Sequence, residues 1–93
     1  MPKTVRRNSK TEHWLTNNPI RLYRLNRLVL TQIELSWKLG VSVASIYNWE
    51  RGYKKPLIRN VRELAKIFKI RVSDLEQEIA SWFAEKPKGW ERP

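Results

Sequence analysis

Residues 30–52 read LTQIELSWKLGVSVASIYNWERG, and their punctuation decides the fold. Thr31-Gln32-Ile33-Glu34 spells a capping box, in which the Thr hydroxyl and the Glu carboxylate each satisfy a backbone N–H left over at a helix start. Leu35, Ser36 and Leu39 follow on one face. Gly40 supplies the left-handed residue that commonly ends a helix. Ser42 then caps a second helix over Val43 to Glu50, with Ile46 and Trp49 inward, and Gly52 breaks it.

Upstream, Asn18-Pro19 marks a start, because Asn can cap and Pro at the first helical position gives up only an orphan N–H. Leu22, Leu25, Leu28 and Val29 recur at three- and four-residue steps behind it, which is a helical stripe. Downstream, Pro56 follows a Lys54-Lys55 loop, and Val61, Leu64, Ala65 and Phe68 lie on one face of the next helix. Ser73-Asp74-Leu75-Glu76 spells another capping box, opening a helix through Glu85 that carries Leu75, Ile79 and Trp82 or Phe83. Pro87 and Gly89 stop it. No segment alternates with period two, so the expected fold is all-α: five short helices over residues 18–85. Residues 1–17, polar, basic and without a period, read as a flexible arm, and residues 86–93 as a tail.

Nineteen Lys and Arg against nine Asp and Glu give a net charge of +10. The excess sits at +3 on residues 1–18 and +8 on residues 19–75, while residues 76–93 carry −1. A basic domain repels itself unless a polyanion relieves it, so nucleic acid is the expected partner. A membrane surface fits less well, because the bases are spread over several short helices rather than one amphipathic face. No apolar run approaches the roughly 20 residues of a bilayer span. No cysteine and one histidine leave no metal or cofactor site, and no nucleophile–base or carboxylate pair is spelled, so an enzyme is not expected. The expectation is a soluble cytoplasmic, nucleoid-associated protein.

Two helices joined through Gly40-Val41-Ser42 have the spacing of a helix-turn-helix, whose second helix can enter a DNA major groove. The wider spelling is more specific. Leu30-Thr31-Gln32, Leu35, Leu39-Gly40-Val41-Ser42, Ile46, Asn48-Trp49-Glu50-Arg51-Gly52, Pro56, Leu64-Ala65 and Val72-Ser73-Asp74-Leu75 closely resemble the Cro/repressor (Xre) family over about residues 19–79. The resemblance implies a five-helix, lambda-repressor-like DNA-binding domain of prokaryotic or phage origin, with the third helix reading bases. It implies base-facing positions at Val43, Ala44, Ser45 and Asn48, and a phosphate contact at Gln32. Glu50 is expected to pair with a basic side chain, and Gly52 to make the turn. Val29 stands where this family often has Gly, and the first helix runs about one residue longer before Gln32.

Independently of the resemblance, Asn48 has the donor–acceptor pattern that matches adenine in the major groove, and Val43 and Ala44 suit a thymine methyl. Good fillers against the groove wall remain the alternative for both. Gln32, Arg51, Tyr53, Lys54, Lys55 and Arg59 are candidates for phosphate, which positions a protein without reading sequence. In the arm, Arg6 and Arg7, with Lys3 and Lys10, either thread a minor groove or belong to a solubilising tail.

Ile33 and Trp37 lie four apart on the face opposite Leu35 and Leu39, where this fold is normally charged. Ile79, Trp82, Phe83 and Trp90 add more aromatic and apolar surface than a small helical core needs. Such a patch marks a homodimer or second-protein contact, unless the arm, through Trp14, folds back over Ile33 and Trp37, or the tail covers them. The expected function is a sequence-specific double-stranded DNA-binding regulator, a repressor of a small operon, acting as a dimer. An antitoxin or a protein-binding adaptor is the alternative.

Overall fold

The computed structural model describes residues 9–90, which form helices and no strand. In chain order they are α1 (Ser9–Thr16), α2 (Pro19–Leu22), which runs on into a wider π turn over Tyr23–Arg27, α3 (Gln32–Leu39), α4 (Val43–Glu50), α5 (Ile58–Phe68) and α6 (Val72–Ala84).

Local signals set the middle of the chain. Asn18 caps α2, its Oδ1 accepting from Arg21 N at 2.9 Å, while its Nδ2 donates to Trp49 O at 3.2 Å. At α3 both halves of the capping box form. Glu34 N donates to Thr31 Oγ1 at 3.1 Å and Thr31 N donates to Glu34 Oε1 at 2.9 Å. That backbone donor, with help from the hydroxyl, holds the Glu34 carboxyl below the usual carboxylate range. Gly40 ends the helix at φ 74° and Ser42 caps α4.

Ile20, Leu35, Ile46, Leu64, Phe68 and Leu75 are at most 1% exposed and draw α2 to α6 around one core. Tyr23 stacks on Phe68 with centroids 5.2 Å apart, and its hydroxyl donates to Glu78 at 2.9 Å. Burial, then that carboxylate, raises the Tyr23 phenol above its ordinary value. Arg24 is buried between α2 and α4. Its Nε and Nη2 grip Glu50 at 2.7 and 2.8 Å, and its Nη1 donates to Leu30 O at 2.9 Å. A buried charge needs such partners, and this guanidinium spends its fork on one carboxylate and one helix-end carbonyl.

Four expectations need correction. First, the arm: Ser9–Thr16 is a helix, and Trp14 and Leu15 are buried at 5% and 6%. The signal is nonlocal, since Trp14 packs on Trp82. Second, Leu25 and Val29 do not belong to the core stripe. The extra residue before Gln32 is absorbed by the π turn, where Leu28 N donates to Tyr23 O, and this turns Leu25 outward and leaves Val29 80% exposed. Val29 takes the left-handed conformation, φ 53°, in the place that suits Gly. Third, α6 opens one residue before Ser73. Arg71 takes the extended N-cap position, so Ser73 sits inside the first turn and caps nothing. Fourth, the C-terminal apolar residues are covered: Ile79 and Trp82 are buried, and Phe83 and Trp90 are half-buried.

Candidate nucleic-acid interface

The second helix of the turn, α4, presents one exposed face. Val43 and Tyr47 are four apart and 42% and 44% exposed, and Ala44 lies beside them. Ser45 is half-buried, with its Oγ 3.0 Å from Ser42 Oγ. Ile46, Trp49 and Glu50 face inward.

Asn48, expected to read adenine, is only 7% exposed. The chain folds back after Gly52, and the backbone N–H groups of Tyr53 and Lys54 donate to the main-chain carbonyl of Asn48 at 2.9 and 3.3 Å. Tyr47 takes the outward place instead. Its spacing from Val43 and Ala44, i+4 and i+3, already put it on their face in the sequence, but its ring lacks the paired donor and acceptor that single out Asn. The exposed face of α4 is therefore Val43, Ala44 and Tyr47, an apolar and aromatic surface with one phenolic hydroxyl.

The phosphate candidates divide into free and braced groups. Lys54, Lys55 and Arg59 are exposed on the loop and the first turn of α5, and Lys55 Nζ lies 5.5 Å from the Phe83 ring centre. Gln32 stands at the first position of α3, its Nε2 donating to Glu50 Oε1 at 3.2 Å. The Arg24–Glu50 pair thus orients the side chain at the mouth of the turn. Arg51 and Tyr53 are half-buried at the exit of α4. The Arg51 guanidinium lies 5.8 Å from the Tyr47 ring centre and 5.1 Å from that of Trp90, and Tyr53 stacks on Trp90 at 5.8 Å.

A cleft of about 300 Å³ opens beside this exit, between α1 and the helix-turn-helix. Leu15 and Thr16 line one side, and Arg21, Gln32, Tyr47 and Arg51 the other, with Glu12, Arg24 and Glu50 completing it. The newly folded α1 thus borders the reading face. Arg6, Arg7 and Lys3 lie outside the described residues; Lys10 is exposed on α1.

The expected protein contacts also divide. Ile33 and Trp37 stay exposed, at 50% and 75%, and Trp14 turns to Trp82 rather than to them. Ile79 and Trp82 are spent inside the chain. Sequence reading missed Leu57 and Ile58, 60% and 45% exposed beside the lysine loop, although two adjacent apolar residues after Pro56 were a legible signal.

Among the described residues no group of three or more His, Cys, Asp or Glu could hold a metal ion, and no helix is long and apolar enough to cross a membrane. A family model described as helix-turn-helix matches residues 20–75. No curated protein and no solved structure matches the chain.

Proposed function

Because the chain belongs to the Cro/repressor type of the helix-turn-helix family and so carries a double-stranded DNA-binding domain, we propose that it is a sequence-specific repressor of transcription, reading its site with Val43, Ala44 and Tyr47. The observation that carries the reading is the exposed face of α4 followed by cationic side chains: Arg51 at its exit, then Lys54, Lys55 and Arg59. Those cations bind phosphate on any sequence, and the three outward residues discriminate between base edges. A bound domain represses by occupying its stretch of promoter.

Three small or singly polar readers discriminate weakly against a genome of competing sites, so a homodimer on two half-sites, about one helical turn or roughly 34 Å apart, doubles the readout. With Ile79 and Trp82 buried, its contact moves to Leu57 and Ile58. Ile58 lines a shallow cavity of about 230 Å³ together with Val61, Ile79 and Ala80, with Lys55 and Glu76 as lining residues of opposite charge. A two-fold pairing sets each Lys55 toward the other copy's Glu76. Selection from a random duplex pool tests the whole reading. A palindromic motif is expected, which Tyr47→Ala alters and Ile58→Asp reduces to a half-site. A pool that stays random would reject sequence reading.

The second reading, an antitoxin or adaptor that binds another protein, is favoured by the exposed Ile33–Trp37 pair on α3. A Trp37→Ala variant with wild-type DNA binding but lost partner binding would support that role beside the first.

A further inference from the structure

Resting on the DNA reading above, we propose that Trp90, backed by Trp14, is a positioning residue for DNA contact, acting through Arg51. The segments holding Trp14 and Trp90 meet at the exit of α4. Trp90 lies past the last helix, yet its indole N–H donates to the Arg51 carbonyl, its ring stacks on Tyr53, and the Arg51 guanidinium sits over its face. Behind it, Trp14 meets Trp90 edge-on, with centroids 6.4 Å apart, and stacks flat on Trp82 at 3.9 Å. The two indoles of that stack exchange hydrogen bonds with each other's backbone: Trp14 Nε1 donates to Trp82 O at 2.8 Å and Trp82 Nε1 to Trp14 O at 2.6 Å.

This wall closes directly on the turn. A Cβ on Gly52 would fall 2.5 Å from Trp14 Cη2 and 3.0 Å from Trp82 Cη2, and the backbone there is left-handed at φ 73°. Residues 51–53 are thus enclosed by aromatic rings from both ends of the chain.

The consequence falls on Arg51. Its guanidinium is shared between the faces of Tyr47 and Trp90, and its Nε is sealed from solvent without a hydrogen-bond partner among the described residues. Stacked on two rings, an arginine has already lost much of the rotamer freedom that binding phosphate would otherwise remove. Its terminal nitrogens remain for the ligand. The same contacts hold Tyr47, one of the three readers, and Tyr53, a phosphate candidate. The ends of the chain therefore prepare the reading surface without being part of the helix-turn-helix.

A double-mutant cycle on the full chain tests this, with a fluorescent mixed-sequence duplex as probe, because phosphate contact needs no operator. Trp90→Ala should weaken binding about tenfold, as expected for contacting residues, and lower the salt slope by about one. In an Arg51→Ala background the same change should cost less than about twofold. Trp90→Phe, which keeps an aromatic face for Arg51 and Tyr53 but loses the N–H and part of the indole, should restore most of the affinity. If Trp90→Ala loses helicity, Trp90→Leu, which fills the site without an aromatic face, takes its place in the cycle. Equal losses in both backgrounds, or a Trp90→Ala variant at wild-type affinity, would overturn the positioning role. If Arg51→Ala lowers the slope while neither Trp90 variant does, only this inference fails. A wild-type chain without salt-dependent binding rejects the DNA reading itself.

Discussion

Residues 20–75 and the two flanking segments, 9–17 and 82–90, are held by different means. In the central body α2, α3 and α4 are each opened by a capping side chain within four positions of the helix start. Thr31 answers Glu34, Asn18 answers Arg21, and Gly40 closes what Thr31 opened. In the flanks the decisive partners are 68 and 39 residues apart, Trp14 with Trp82 and Trp90 with Arg51. The body carries α4, and the flanks pack against the turn at its exit.

The sharpest way to test the body is at its buried charge. Arg24→Ala leaves Glu50 inside the fold without its partner, which should cost roughly 3–5 kcal/mol of stability. Urea unfolding checks it. A cost below about 1 kcal/mol would mean that water reaches Glu50 and that the link between α2 and α4 is dispensable.

The comparison breaks if the flanks prove ornamental. Trp14→Ala removes a buried ring, a flat stack and one of two indole donors, and should cost about 3 kcal/mol, as large core truncations do. The same unfolding curve should stay a single transition. A separate early transition, or a cost under about 0.5 kcal/mol, would make α1 an appendage rather than part of the fold.

How legible each region was follows from the same difference. Caps, Gly40, Gly52 and the stripe of Val61, Leu64, Ala65 and Phe68 are short-range signals, so the helices of the body and their order could be read directly. Arg24 was not singled out because its partner Glu50 is 26 residues away and nothing in its neighbours marks burial. The run before Trp14 is polar and basic, so its local composition argues for an unstructured arm. Only Trp82 makes it a helix worth folding. The aromatic surplus at the C-terminal end was visible, but a sequence cannot say whether two tryptophans face solvent or each other. On α4, helical spacing sets Val43, Ala44 and Tyr47 on one face, and all three are exposed. Asn48 was chosen on its hydrogen-bonding chemistry, and the fold leaves it buried.

The smallest effect concerns the one place where the body departs from its own logic. Val29 holds the left-handed conformation at φ 53° while 80% exposed, so its side chain adds strain and little packing. A β-branched residue there costs about 1–2 kcal/mol. Val29→Gly should stabilise the fold by about 1 kcal/mol after the added freedom of the unfolded chain is discounted. A loss of stability would mean that Val29 is packed by a contact outside the described residues.

The central claim is that the cationic rim of α4 and its following loop bind a DNA backbone. The most direct measurement is the affinity of the wild-type chain for duplex DNA across a salt series. With five or six phosphates neutralised per copy, log K should fall against log salt with a slope of about −5, nearly doubling for a dimer on two half-sites. A slope near zero would contradict the claim and leave the exposed Ile33–Trp37 face as the working surface of the molecule.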